Sequence, residues 1–91
     1  MTFYLNDVDT VRIEVLETPY GTFIGFRLPD EVPDNAKVKF NNRSLHHMCF
    51  ASIRMIVLDD FVMRALDWKE GDELCWKVYS DRTDFFKRTI L

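Results

Sequence analysis

The ten residues ALDWKEGDEL, from Ala65 to Leu74, decide the fold predicted for this chain. They place Asp, Glu, Lys and Gly in one dense turn, between an apolar run and a stretch that alternates like a strand. Leu66 and Trp68 are expected to pack inward, whereas residues 69–72 turn the chain on the outside. Gly71 can adopt a positive φ at which other residues would be strained. The string therefore predicts the end of a short helix, a connection and the start of a strand.

A short helix is predicted immediately before this string. Asp59 or Asp60 is a good N-cap, because a carboxylate there accepts a backbone hydrogen bond and complements the helix dipole. One apolar stripe then follows at i, i+1, i+4 and i+5; its members are Phe61, Val62, Ala65 and Leu66. Only two helical turns fit before the charged string begins.

Strands are predicted on both sides of this helix. Upstream, Ile53 to Leu58 is β-branched and, apart from one arginine, apolar on both faces, so we expect a strand that is covered on both sides. The residues from 44 onward fit a helical stripe about as well as a strand. Downstream, residues 74–79 alternate as a strand. Residues 83–91 can return as its hairpin partner after a turn at 80–82.

The N-terminal part of the chain has the period-two alternation of strands. A hairpin is predicted at about residues 11–28, with its turn at Pro19-Tyr20-Gly21. The side chains expected to share a face are Val11, Ile13 and Val15 on the first strand and Ile24, Phe26 and Leu28 on the second.

Proline ends this hairpin on its C-terminal side. Pro29 and Pro33 lack the donor that a sheet ladder needs, and each restricts the residue before it. A short strand from Lys37 to Phe40 is expected next, and Asn41-Asn42 reads as another turn.

Composition limits the size and class of the protein. The chain has 91 residues, of which 47% are hydrophobic and 14% aromatic, which is typical of one ordered domain. We predict a mostly β domain with one or two short α-helices, in which residues 1–42 form a hairpin-rich half. The aromatic surface exceeds what one small core needs, so we expect some of it to be buried by a second copy or a partner, most simply in a homodimer.

Charge lowers the expectation of nucleic-acid binding without removing it. Twelve Lys and Arg stand against 15 Asp and Glu, for a net charge of −3. Counterion release from phosphates requires clustered basic residues. Binding by this chain would therefore need a local basic patch, which a dimer would double.

The cysteines and the hydropathy predict a cytoplasmic protein. Cys49 and Cys75 are 26 positions apart without a CxxC motif, so two reduced thiols are expected and a disulfide framework is not. The sequence shows no signal peptide and no 18-residue apolar run, so no membrane association is predicted.

Neither catalysis nor a cofactor is predicted. His46 and His47 lie near Cys49, but neighbouring residues on a strand point to opposite faces, which argues against a metal site. No motif brings a base and a nucleophile together in one pocket. Three scattered glycines cannot build a phosphate-binding loop.

The order of elements over residues 53–91 resembles the AbrB/MazE-type swapped-hairpin domain of small prokaryotic DNA-binding regulators and antitoxins. The resemblance is carried by Ile56-Val57-Leu58, the acidic cap, the helix ending in Leu66-Asp67-Trp68 and the string Lys69 to Leu74. In that family a strand ending in Ile-Pro leads to a short helix, a Leu-Gly corner, a Gly-Asp turn and a final hairpin. The resemblance implies a small barrel-like or swapped-hairpin fold, here with an extra N-terminal hairpin.

Three residues depart from the family pattern. Two of them bear on the fold and the third bears on DNA binding. Asp59 stands in the place of the family's proline and Asp67 in the place of its corner glycine. Aspartate tolerates the left-handed conformation better than most residues, so the corner can be kept. Arg54 lies about one residue out of register with the family's DNA-contacting arginine, and a one-residue shift on a strand reverses the face of a side chain.

Two functions follow from these observations. The resemblance implies a dimeric DNA-binding transcriptional regulator or antitoxin, with Arg54 and Arg64 as carriers and Arg43 and Lys69 as phosphate contacts. The alternative for each arginine is a solvated group or an ion pair.

The other hypothesis is a small protein-binding module that inhibits or redirects a partner without touching nucleic acid. A toxin or a host regulator would be such a partner, as for a phage-type host-takeover factor. Its anchors would be aromatic, with Trp68, Tyr79 and Phe85 as the candidates. The balanced charge and the high aromatic content favour this hypothesis.

Overall fold

This computed structural model describes residues 9–88 of the chain. They contain eight strands and one α-helix, connected by turns and loops. The strands are β1 (Val11–Arg12), β2 (Glu14–Thr18), β3 (Gly21–Arg27), β4 (Val38–Phe40), β5 (Met48–Phe50), β6 (Met55–Val57), β7 (Glu73–Val78) and β8 (Thr83–Lys87), with helix α1 (Asp60–Leu66) between β6 and β7. The prediction of a mostly β chain with a short helix is confirmed.

The strands form two four-stranded sheets. Sheet A has the order β1-β7-β8-β4 and sheet B the order β2-β3-β6-β5. Strands β4 and β8 run parallel, and the other neighbours are antiparallel. Within residues 9–88 the two sheets remain open and do not join into the closed barrel that one form of the prediction implied.

A break at Ile13 separates the two sheets. Strand β1 pairs with β7, whereas β2 pairs with β3. Between them, Ile13 donates its N–H to the carbonyl oxygen of Asp72 (2.9 Å) and accepts from the N–H of Gly71 (2.7 Å). The break shifts the alternation, so that Ile13 and Leu16 are buried while Val15 faces outward. The predicted shared face for Ile13 and Val15 was therefore wrong.

The predicted turns lie where the sequence placed them. Thr18 and Gly21 close the β2–β3 hairpin around Pro19 and Tyr20. Asn41 and Asn42 both adopt positive φ, 52° and 59°, the conformation that a two-residue hairpin turn favours and that Asn accepts. The β7–β8 hairpin is also present, and residues 89–91 of its predicted second strand lie outside the described residues.

The ambiguous middle segment combines two strands with a tight turn. Residues 48–50 form β5, and a 3-10 turn at Ala51–Ile53 leads into β6. The predicted strand therefore begins at Met55 and not at Ile53, because Arg54 ends the turn in the left-handed conformation (φ 56°, ψ 52°). Met55 to Leu58 are all buried, as expected of a strand covered on both faces.

Helix α1 begins and ends as the sequence predicts but buries a narrower stripe. The side chain of Asp59 accepts a hydrogen bond from the N–H of Val62 (2.8 Å), and Asp67 caps the C-terminus at φ 57°, ψ 42°. Val62 and Leu66 are buried, whereas Phe61 is 67% exposed. Only one edge of the helix is therefore buried against the core, and Phe61 and Ala65, which were predicted to belong to the apolar stripe, are exposed.

A single hydrophobic core cluster draws on both halves of the chain. Its residues are Ile13, Phe26, Leu28, Val32, Phe40, Ile56, Leu58, Val62, Leu66, Trp68, Leu74 and Phe85. Ring centroids of Phe26 and Phe85 lie 4.7 Å apart, so a β3 side chain packs directly on one from β8. The N-terminal hairpin is therefore part of the core and not an addition to it.

Helix α1 has seven residues. No helix within residues 9–88 has the length and the apolar content that crossing a membrane requires.

Candidate functional site

An open groove of about 530 Å³ runs between sheet B and the start of helix α1. Strands β2, β3, β5 and β6 supply one side and the first turn of the helix the other. The apolar residues that line it are Val15, Phe23, Ile24, Met48, Val57, Leu58 and Met63. We refer to this feature as the apolar groove.

Two residues that line the apolar groove are exposed on strands at the edges of sheet B. Val15 belongs to β2 and Met48 to β5, the two outer strands of sheet B as described. Both side chains are among the exposed large hydrophobic residues. Val15 turns outward because of the break at Ile13, so the break that separates the two sheets also exposes a residue of the groove.

Three aromatic rings extend the apolar surface beyond one end of the groove. The Phe50 ring lies 5.9 Å from that of Phe23, a groove residue, and 5.2 Å from that of Tyr20. Tyr20, at the β2–β3 turn, is 73% exposed. We call Tyr20, Phe23 and Phe50 the aromatic cluster. Together with the groove it forms one continuous surface suited to an apolar partner.

The rim of the groove is acidic. Asp59 and Asp60 line the groove, and no basic residue does so within residues 9–88. Glu17 does not itself line the groove, but it pairs with Thr22, a groove residue, in the β2–β3 register, so the two side chains share a face of the sheet. Asp59, Asp60 and Glu17 form no ion pair with any other described residue. We refer to these three carboxylates as the acidic rim.

Arg54, a predicted nucleic-acid contact, is instead bound to the loop that follows β3. Its guanidinium donates to the carbonyl oxygens of Pro29 (2.6 Å) and Val32 (2.7 Å) and pairs with the carboxylate of Asp34. These contacts hold residues 28–34 against the 3-10 turn. To bind a phosphate, the Arg54 guanidinium would have to give up the hydrogen bonds that it makes to these carbonyl oxygens and to Asp34.

The other three predicted nucleic-acid contacts are brought together around helix α1. Arg64 and Lys69 line one shallow pocket of about 310 Å³, and Arg43 reaches the helix to donate to the carbonyl oxygen of Ala65 (3.4 Å). Asp60 and Glu70 line the same pocket. The basic groups are therefore interspersed with carboxylates and do not form a patch of one sign.

The predicted interface aromatics divide between core and surface. Trp68 is 4% exposed, with its ring 5.5 Å from that of Phe40, and Phe85 is fully buried. Phe85 does not reach the surface, and only a small part of Trp68 does, where it lines the shallow pocket beside Arg64 and Lys69. Tyr79 is exposed, and the Arg82 guanidinium stacks 4.0 Å from its ring centroid.

The two thiols are separate and poorly ionised. Burial raises the pKa of Cys75; the Arg88 charge opposes this increase and the Glu73 charge adds to it. Partial burial likewise raises the pKa of Cys49. Within residues 9–88 no three His, Cys, Asp or Glu side chains gather as metal ligands.

The groove residues were missed at the level of sequence. Val15 was assigned to the same face as Val11 and Ile13, and Met48 and Met63 were given no surface role. One signal was present: the adjacent apolar pair Val15-Leu16 interrupts the alternation of the strand, and such an interruption is typical of a bulge or break. Nothing in the sequence marks β5 as an outer strand.

Comparison of the chain with protein-family models, with curated proteins and with solved structures finds no match. The AbrB/MazE-type resemblance thus rests on the residues that carry it. The swapped hairpin and the DNA contacts it implies stay predictions.

Proposed function

We propose that this protein is a small protein-binding module whose apolar groove and aromatic cluster hold an apolar segment of a partner protein. The observation that carries the proposal is the exposure of Val15 and Met48, two large hydrophobic side chains that line the groove, with exposed Tyr20 in ring contact with Phe50 beside it. Continuous exposed apolar surface of this kind marks interaction sites in proteins. A toxin or a host regulator is the kind of partner we propose, with inhibition or redirection as the outcome.

Charge and hydrogen bonding also favour a protein partner over nucleic acid. The chain carries a net charge of −3, and the rim of its groove is acidic. Arg54 is the residue nearest to the family's DNA-contacting position. Its guanidinium already pairs with the Asp34 carboxylate and donates hydrogen bonds to two carbonyl oxygens. Phosphate binding depends on available basic groups.

A matched pair of variants tests the protein-binding proposal. Val15 and Val78 are both strand valines, 47% and 45% exposed, and only Val15 lines the groove. A partner isolated with the wild-type protein and then purified should bind Val78→Asp with unchanged affinity and Val15→Asp at least tenfold more weakly, since a buried unpaired carboxylate is costly. Circular dichroism checks that both variants fold. Equal affinities for the two variants would contradict the proposal.

The second candidate function is DNA binding by a dimer, as a regulator or antitoxin of the AbrB/MazE type. The observation that favours it is the convergence of Arg43, Arg64 and Lys69 around helix α1. These residues can position a protein on phosphates, although they identify no base.

Duplex binding distinguishes the two candidates. Mixed genomic fragments are titrated with protein at low and moderate salt, and light scattering gives the molar mass of the same sample. Salt-dependent binding by a dimer, lost in the double variant Arg64→Glu, Lys69→Glu, would favour the DNA-binding function. The protein-binding proposal expects no salt-dependent binding and no effect of the two substitutions.

A further inference from the structure

We propose that the apolar groove selects a partner segment whose apolar residues are flanked by lysine or arginine. This inference rests on the proposed protein-binding function and specifies the chemistry of the partner. It is carried by one juxtaposition, an apolar floor bounded by the carboxylates of the acidic rim.

The apolar residues of the groove determine which side chains the central part of the partner segment can have. Val15, Met48 and Met63 come from three different elements and converge on a volume of about 530 Å³, within the range of pockets that enclose ligand groups. Methionine side chains are flexible and adapt to differently shaped apolar groups. The groove therefore accepts several large aliphatic or aromatic anchors and leaves fine discrimination to its rim.

The acidic rim determines the charge that the flanking residues of the partner segment should carry. Asp60 and Glu17 form no ion pair with another described residue, and no described residue lining the groove is basic. A lysine or arginine beside the anchors would meet an opposite charge, whereas an acidic flank would meet a like charge. Exposed charges contribute little affinity each but select among partners and raise association rates.

The same rim disfavours a second copy of this chain as the occupant. In a two-fold symmetric dimer, the same surface patch of both copies forms the interface. The carboxylates of Asp59 and Asp60 would then enter the interface twice, whereas the basic residues nearest to Asp60, Arg64 and Lys69, line a separate pocket and not the groove. The occupant is therefore a different protein, and the predicted homodimer would have to use another surface.

Two matched peptide pools test the inference. Both carry the same central mixture of Leu, Ile, Met and Phe; one pool is flanked by paired lysines and the other by paired glutamates. The signals followed are the methyl resonances of the methionines in the full chain, recorded by NMR. Met48 and Met63 report on the groove, and the buried Met55, which does not line it, is the internal control.

The expected result is that the lysine-flanked pool alone shifts the Met48 and Met63 signals and that added salt weakens the effect. Asp60→Asn should reduce the apparent affinity for this pool about threefold, as expected for one exposed ion pair. Asp30→Asn, which removes an exposed carboxylate that does not line the groove, should leave the affinity unchanged.

Three outcomes would overturn the inference. Equal shifts from both pools would contradict selection by charge, but the apolar groove would still be a protein-binding site. Shifts from neither pool would remove the groove from the proposed function as well. An equal loss of affinity in Asp60→Asn and Asp30→Asn would show a general charge effect and not recognition by the acidic rim.

Discussion

The carbonyl oxygen of Ile56 occupies the space that a side chain at position 25 would need. A Cβ on Gly25 would lie 1.9 Å from that oxygen and 3.1 Å from the Cα of Val57. Gly25 pairs with Val57 in the register of β3 and β6, the two central strands of sheet B. The absence of a side chain is what allows these strands to approach so closely.

Gly25→Ala should destabilise the protein strongly because the backbone of β6 cannot give way as a side chain can. We expect a loss of about 3 kcal/mol in the free energy of unfolding, or failure to fold. Gly71→Ala is the matched control, since Gly71 has φ 95° but nothing within 4 Å of its Cβ position. It should cost about 1 kcal/mol from backbone strain alone. Urea denaturation compares them, and equal losses would contradict the role of close approach.

Arg54 should stabilise the fold, unlike the other arginine that the family resemblance singles out. Arg54→Gln removes the donors to Pro29 and Val32 and should cost about 1 to 3 kcal/mol, because partly buried carbonyl groups lose their partners. Arg64→Gln, at an exposed helix position, should change the stability by less than about 0.5 kcal/mol. Urea denaturation of both variants checks this. Similar values would show that the Arg54 contacts contribute nothing.

Asp67 stands where the resembling family has glycine, and its left-handed conformation predicts the effect of restoring that residue. Asp67→Gly should leave the stability unchanged or raise it by up to about 1 kcal/mol, because glycine adopts this conformation without strain. The Lys87 hydrogen bond to position 67 survives, since it is accepted by the backbone carbonyl. Asp67→Val should lower the stability by about 1 to 2 kcal/mol. Thermal unfolding distinguishes them, and a destabilising glycine would contradict the strain argument.

Trp68 should act through packing. Trp68→Ala should cost about 3 to 5 kcal/mol, as removal of a buried aromatic ring does. Trp68→Phe should cost less, since it keeps a ring against Phe40 and removes an indole N–H that has no acceptor in the described part of the chain. The measurement is again the free energy of unfolding. If Trp68→Ala folds with wild-type stability, the core assignment of this residue is wrong.

The raised pKa of Cys75 predicts a loss of stability in alkaline solution. The unfolded chain ionises this thiol near its ordinary pKa of 9.0, whereas the folded protein holds the proton to higher pH. The contribution of the thiol is therefore fully present below pH 9 and falls as the pH rises toward the folded pKa. The slope of unfolding free energy against pH above 9 should be less steep in Cys75→Ala. Equal slopes in the two proteins would contradict this.

Local signals in the sequence predicted much of the fold. Asp59, Asp67 and Gly71 act within a few residues of their own position, as a cap, a left-handed corner and a turn, so their roles were readable without the rest of the chain. The phase of β2 was not readable in this way. Whether Val15 faces inward depends on Ile13 pairing with residues 71 and 72, almost sixty positions away.

The candidate site was less predictable than the fold for the same reason. Arg64 and Lys69 line one pocket and Arg43 donates to the carbonyl oxygen of Ala65 on the same helix, whereas their predicted role as nucleic-acid contacts stays a prediction. Arg54 was grouped with them because only its place along the strand was known. Its partners Asp34, Pro29 and Val32 come from a loop that the sequence places twenty or more residues earlier.

Caps, prolines, glycines and alternation act on neighbouring residues, so the two-turn helix, the turns and most of the strands could be predicted from the sequence. The outer strands of each sheet, the binding of Arg54 by a loop and the meeting of exposed apolar side chains could be known only from the folded chain. These features depend on the pairing of distant segments into two sheets. The apolar groove is therefore a product of β2, β5 and helix α1 meeting in space, and no single stretch of sequence contains it.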